Sequence, residues 1–218
     1  FRSGMQALNE TLDPAAIVTA SAEALQRASG ADGVVLVRRD PNRETLQVLG
    51  GIDRGSAIPP FTLPITGGVA SGVLLGTEPL ALSGLRLDDR FKRAHPEEQR
   101  LMKPYGSLLG LPLIAGGETR GAALLMWRED ELESRARSKE FLGTLASQVT
   151  IALENARLYQ LAVRDPLSGL HVHSYFAGRL KEEIDRALRS KRPLSVIRLD
   201  VPGLARLRDG AGPEHAAE

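Results

Sequence analysis

Between Leu142 and Val163 the residues Leu142, Leu145, Val149, Ala152, Ala156, Tyr159 and Val163 recur at spacings of 3, 4, 3, 4, 3 and 4. That periodicity predicts one long helix with a continuous apolar stripe. The stripe has the spacing of a heptad seam, so it must be buried against a partner surface. Two surfaces can receive it: the helix's own domain, or the same helix of a second chain in a parallel dimer. The pattern runs on past the last strand-like segment, which favours the second chain. Phe141, Ile151, Leu153 and Leu158 lie off the seam and are then left to cover the sheet of their own domain. On this reading, replacing Leu145 and Val149 with Glu breaks the dimer.

Upstream, Asp13-Pro14 announces a helix, with an N-cap followed by Pro at the first helical position. Ile17, Ala20, Ala24, Leu25 and Ala28 line one face, and Gly30 ends it. Residues 33–37 and 45–49 read as a strand pair joined by the turn formers of 40–43. The Pro- and Gly-rich stretch 53–66 reads as a loop. Residues 68–75 fit a short helix, and 78–82 an edge strand whose Pro79 suits an edge. The polar stretch 84–103 is loosely helical with a restart at Pro96, and strands follow at 107–114 and 120–127. Helix, hairpin, polar crossing, hairpin and long helix make an α+β domain, an antiparallel sheet with helices packed against it.

At Asp165 the character changes. Residues 165–170 (DPLSGL) are turn formers, a helix of about 18 residues carries Phe176, Leu180, Ile184 and Leu188 at spacing four, and 194–200 reads as a strand ending in Asp200. A second domain is expected from about 165, with the chain stopping early in it. The absence of an initiator Met suggests a cut from something longer.

The 218 residues carry a formal charge of +1, which provides no long-range field for nucleic acid or anionic lipid. No apolar run reaches membrane-spanning length. Cysteine is absent, which excludes disulfides, thiolate nucleophiles, thioether-linked chromophores and Cys-based metal sites. With no export signal visible, the cytoplasm is the expected compartment.

Residues 5–160 resemble a GAF domain. The matching phrases are Ala31 to Val37, Gly68 to Leu74, Glu78-Pro79-Leu80, Asp88 to Phe91, Ser107 to Leu113, and Ala146 to Tyr159. The resemblance implies a six-stranded antiparallel sheet flanked by helices, serving as a sensory or dimerising input that signals along its C-terminal helix. Residues 165–218 resemble the opening of a GGDEF domain, the diguanylate cyclase fold, through the 165–170 turn, Tyr175-Phe176, Leu199-Asp200 and the phrase Leu204, Leu207, Asp209-Gly210-Ala211-Gly212. Departures are pronounced. Val172-His173-Ser174 replaces Asn-Arg-Arg, Pro202 stands in the second position of Asp-x-Asp, and Ala205, Arg208 and Pro213 occupy the usual Lys, Asn and His positions. The family's naming loop would lie beyond Glu218.

The expected organisation is a GAF sensor at 1–140, a dimerising signalling helix at 141–164, and a truncated, diverged GGDEF-like segment at 165–218 made of that fold's first helix and strand. Joining two GTP molecules needs divalent metal to spread phosphate charge. One carboxylate, Asp200, cannot hold two ions, so Asp200 and Asp209 are expected to be nucleotide- and metal-site remnants, and no catalytic or metal residue is assigned. Mg and GTP enter only if the parent is an active cyclase. A small-molecule ligand is expected between the 84–103 segment and the strands, near Phe91, Tyr105 and Ser107. An empty, structural GAF domain stays open beside it. His95 reads as a surface residue, and His171 and His173 are badly spaced for one metal. The expected function is a non-catalytic, bacterial-type signal-transduction module acting as a homodimer. A diguanylate cyclase fragment in cyclic di-GMP signalling and a protein-interaction scaffold are the alternatives. Neither nucleic acid nor membrane is an expected partner.

Overall fold

The computed structural model describes residues 14–40, 44–65, 67–130, 132, 139–165 and 168–199, and the chain divides into two compact units, Phe1–Ala156 and Arg157–Glu218. In the first unit, helix α1 (Pro14–Ser29) starts at its proline and buries Ile17, Val18, Ser21, Ala22 and Leu25, the 3–4 rhythm of a helix lying on a sheet. Strands β1 (Gly33–Arg39) and β2 (Thr45–Asp53) pair antiparallel with a bulge between Leu36 and Val37.

The stretch expected to be a loop, 53–66, is instead half strand. Strands β3 (Ser56–Ile58) and β4 (Phe61–Pro64) both pair antiparallel with β2. Arg54 and Gly55 take consecutive positive φ angles of 47° and 82°, the turn geometry whose twist suits a two-residue hairpin. After Pro59-Pro60 the chain returns along the other half of β2. Pairing, and not apolar composition, makes these strands, so no local pattern announces them.

Short helix α2 (Val69–Leu74) is followed by edge strand β5 (Leu80–Leu82). The polar segment then resolves into a 3-10 turn at Leu85–Leu87, helix α3 (Asp89–Arg93) and helix α4 (Pro96–Met102), which restarts at its proline. Strands β6 (Ser107–Ala115) and β7 (Glu118–Trp127) form the second hairpin, and β7 closes the sheet against β1. The sheet has seven strands in the order β3-β2-β1-β7-β6-β5, with β4 also on β2, one strand more than the resemblance implied. Helix α5 (Lys139–Val163) begins in the first unit and ends in the second.

Central strands β1 and β7 are buried on both faces, so they read as unbroken apolar runs. Val34 and Leu36 enter one core with Leu25 of α1 and Leu142, Leu145 and Val149 of α5. Val35 and Val37 enter the other, with Val69 and Val73 of α2, Met102 of α4 and Tyr105. Each fully buried aliphatic side chain contributes about 1.5–3 kcal/mol, so the two cores rather than the loops hold the unit together.

In the second unit, the elbow after α5 is tied by Asp165, whose Oδ1 accepts from the Ser168 amide and hydroxyl, both at 2.8 Å. Helix α6 (His173–Ser190) then runs for 18 residues, as the spacing of Phe176, Leu180, Ile184 and Leu188 predicts, and buries no residue. Of the strand expected at 194–200, the described part is not a strand. Residues 194–199 carry no regular structure, because none of the described residues pairs with them, and a strand without a neighbour is not stable. Asp200, Asp209 and the departures at Pro202, Ala205, Arg208 and Pro213 lie outside the described residues.

Candidate functional site

The second face of the sheet, under α2, α3 and α4, is where the residues expected to line a pocket can be located. Tyr105 is 1% exposed and sits in the apolar cluster of that face, with Phe91 of α3 packed half-buried against the same cluster. Ser107 is buried too, but it faces the other way. It pairs with Trp127 across β6 and β7, and residues directly opposite one another share a face, so Ser107 lies with Trp127 on the α1/α5 side. Its hydroxyl donates to the Glu129 carbonyl at 2.9 Å. Phe91 and Tyr105 therefore share a face that Ser107 does not. The two-residue step from 105 to 107 misled because Tyr105 precedes the strand and does not follow its alternation.

Tyr105 is held from two sides. It lies over Gly33, where a Cβ would meet the phenol oxygen at 2.2 Å, so only glycine leaves room at the start of β1. Its hydroxyl donates to Asp53. Burial first, then that hydrogen bond and the Asp53 charge, push its ionisation well above the ordinary tyrosine range, with Arg128 pulling the other way. The Arg128 guanidinium stands 5.4 Å from the Tyr105 ring centre and reaches both Asp53 oxygens at 3.2 Å, while the Arg128 amide donates to Asp32 Oδ2 at 2.9 Å. Arg54 closes the set on Asp32 at 3.8 Å. Two arginines thus neutralise two aspartates at the sheet end where β7 departs. Such a cluster fixes strand ends and leaves no net charge for a substrate.

One further polar group was invisible in the sequence. Glu98 of α4 is 4% exposed, and its Oε1 accepts from the Ala70 amide at 2.8 Å, with the Val69 amide as a second donor. Burial raises its carboxyl affinity for a proton above the ordinary value of 4.5, against the opposing pull of the two amides and of His95. His95 caps α4, its Nδ1 accepting from the Glu97 amide at 3.3 Å. Among the described residues no three His, Cys, Asp or Glu side chains stand where they could hold a metal ion, and no helix is long and apolar enough to cross a membrane.

The expected seam lands inside the chain's own units. Leu142, Leu145 and Val149 are buried under the sheet, and Ala152 and Ala156 pack on Ile17 of α1. In the second unit Val163 is buried and Tyr159 half-buried, its hydroxyl meeting that of Tyr175. Of the four residues assigned to the sheet, Leu153 does pack half-buried against the core, whereas Phe141 is 44% exposed, Ile151 52% and Leu158 57%. Leu153 apart, the assignment is inverted, because a helix lying on a sheet generates the same 3–4 spacing as a helix pair. A second stripe on α5, Phe141, Thr144, Gln148, Ile151, Asn155, Leu158 and Ala162, has the same spacing and is exposed throughout.

Comparisons with known proteins agree with this architecture. The family model described as GAF domain matches residues 13–153. No curated protein matches. Among solved structures, a methyl-accepting chemotaxis protein (residues 122 to 287) superposes with a TM-score of 0.59 at 18% identity, over 72% of this chain and 98% of that one. The GAF domain of a phosphoenolpyruvate-protein phosphotransferase from Coxiella burnetii gives 0.57 at 22%, over 72% and 92%. Free methionine-R-sulfoxide reductase from Neisseria meningitidis, in complex with its substrate, gives 0.53 at 17%, over 72% and 88%. At these identities the likeness is one of fold.

Proposed function

The chain belongs to the GAF domain family, and from that membership we infer that it is a non-catalytic signal-input module of a cytoplasmic regulatory protein, working as a homodimer through α5. The observation that carries this reading is the two-sided character of α5. Its inner stripe packs on the sheet, so the helix moves with the domain, and its outer stripe is open to a second copy. Gln148 and Asn155 on that outer stripe are polar seam residues of the kind that fix register. A ligand on the α2–α4 face would alter sheet packing and so the helix beneath, and α5 would carry the change toward residue 165. The output is proposed to be the diverged GGDEF-like segment, on the strength of its 165–170 turn and the Tyr175-Phe176 pair.

Catalysis is disfavoured by the side chains themselves. A chain without cysteine has no thiol with which to reduce a sulfoxide, so the chemistry named for the sulfoxide reductase does not transfer. Asp200 and Asp209 are proposed as remnants of a nucleotide site, and GTP turnover in magnesium by this chain would overturn that. The scaffold reading has one observation in its favour, the dense apolar filling of the α2–α4 face.

Trp127 supplies the test, being the single tryptophan and 1% exposed in the core shared with α5. Cyclic nucleotides and small apolar metabolites are screened for a rise in melting temperature, and hits are titrated against Trp127 emission. A stabilising compound that also shifts the emission is the expected result. If no compound stabilises the chain, or stabilisers leave the emission unmoved, signal input through α5 fails and the scaffold reading replaces it.

A further inference from the structure

Glu98 is the only carboxylate that the fold buries among the described residues, and signal input through α5 does not call on it. Its setting is that of a clasp. Between Asp88 and Lys103 only Ala94, Glu98 and Met102 are buried, so α3 and α4 rest on the domain through few anchors, one of them ionisable. The two helices are stapled to each other, because Gln99 Nε2 donates to the Phe91, Lys92 and Ala94 carbonyls at 3.1, 3.0 and 3.1 Å. Prolines flank α4 at Pro96 and Pro104, which stiffens its ends. The receiving side is shaped for the acid. A Cβ on Gly68 would lie 2.3 Å from Glu98 Oε2, although the Gly68 backbone is ordinary extended chain that alanine adopts freely.

We propose that α3 and α4 form a latched lid over the second face of the sheet, and that the Glu98 carboxylate, seated on the Val69 and Ala70 amides in the notch left by Gly68, is the latch. An apolar anchor such as Met102 loses free energy with every exposed ångström. The latch differs because water replaces both amides when Glu98 swings out, so the desolvation that opposes burial is returned on opening. Opening therefore costs at Glu98 only the difference between amide and water hydrogen bonds to the carboxylate, while Met102 and Ala94 reseat the lid. Beneath it lie Tyr105 and the apolar residues of the second core, the surface a small molecule would have to reach. That the lid gates a ligand rests on the sensory reading above; the latch does not.

The test is amide hydrogen exchange on the whole unliganded chain, comparing wild type with Glu98→Ala and Gly68→Ala. The first removes the latch and the second fills its notch without touching the charge. Both should accelerate exchange at residues 69–74 and 89–103 by on the order of tenfold or more, since bonds to an ionised acceptor are the stronger class. Amides of β1, β6 and β7 should keep their wild-type rates. Unchanged exchange in both variants overturns the latch. So does acceleration of the strands in step with the lid, which would make Glu98 ordinary core support. Because no ligand is added, failure here leaves the sensory reading standing, and a failed ligand screen leaves the latch standing.

Discussion

Two substitutions on α5, made on opposite sides of the helix, should separate stability from association. Leu142 is 1% exposed in the core shared by α1, α5 and the sheet. Truncating a buried leucine to alanine costs about 2–5 kcal/mol, the lost transfer energy plus the cavity. For a chain of this size 1 kcal/mol moves the melting midpoint by about 2–4 °C, so Leu142→Ala should melt roughly 4–20 °C below wild type. Ile151 and Leu158 are 52% and 57% exposed. Glutamate at such positions should change the stability of an isolated protomer by no more than about 0.5 kcal/mol, yet two carboxylates in the centre of a helix pair are incompatible with it. The assay is light scattering and a circular-dichroism melt on the same samples at several concentrations. Leu142→Ala should stay dimeric with a lowered midpoint. Ile151→Glu combined with Leu158→Glu should halve the mass, keep the helical signal and lose any dependence of the midpoint on concentration. The charge pair first suggested by the sequence, Leu145→Glu with Val149→Glu, now has a different expected outcome. It would bury carboxylates among apolar side chains at a cost of several kcal/mol each, and so unfold the domain rather than split a dimer. A dimeric Ile151→Glu/Leu158→Glu variant, or a monomeric Leu142→Ala with an unchanged midpoint, would refute the outer-stripe assignment.

Glu98 should also impose a pH trend. Its folded carboxyl binds a proton more tightly than an exposed one, so protonation adds to lid closure in full below the ordinary glutamate value of 4.5, and that added part is lost as pH rises through the raised folded value, leaving the carboxylate's hold on the amides. Lid amides, corrected for intrinsic exchange, should therefore open faster toward neutral pH. Glu98→Gln should flatten the trend, which separates it from His95 on the same helix and from Arg90 and Arg93 of α3, which approach Gly72 and Gly67; α2 carries no titratable side chain. At the other end of the face, Gly33→Ala must push against the Tyr105 hydroxyl. Overpacking of that kind costs about 1–3 kcal/mol, and a melt within a degree of wild type would show that Tyr105 is not held over β1.

Much of the fold is written locally. The apolar runs Gly33–Val37 and Ala122–Trp127 read as strands, which the structure buries on both faces, and Pro14, Pro96 and the turn glycines at 116 and 117 punctuate the chain where elements change. The misses share one physical cause. Strands β3 and β4 exist because β2 is long enough to pair with both, and 194–199 is not a strand because nothing described pairs with it. Hydrogen-bond partners across the chain decide such cases, and neither β-propensity nor turn content records whether a partner is there.

The site follows the same logic more severely. Glu98 sits in Pro96-Glu97-Glu98-Gln99-Arg100, which reads as a solvated helix start, and its neighbour Glu97 is indeed exposed. What buries Glu98 is a glycine thirty positions earlier, at 68, whose missing side chain leaves no trace in periodicity. Arg128, Asp53 and Asp32 likewise meet only because three strand ends coincide. On α5 the difficulty is reversed, since the signal is strong but degenerate. Both the stripe beginning at Leu142 and the stripe beginning at Phe141 step by three and four, and spacing alone cannot say which meets a sheet and which meets solvent or a second copy. Composition does break the tie in hindsight. The inner stripe is Leu, Leu, Val, Ala, Ala, Tyr, Val, whereas the outer one admits Thr, Gln and Asn. A surface buried permanently within one chain tolerates few such residues, while a surface that the protomer leaves in water accommodates them.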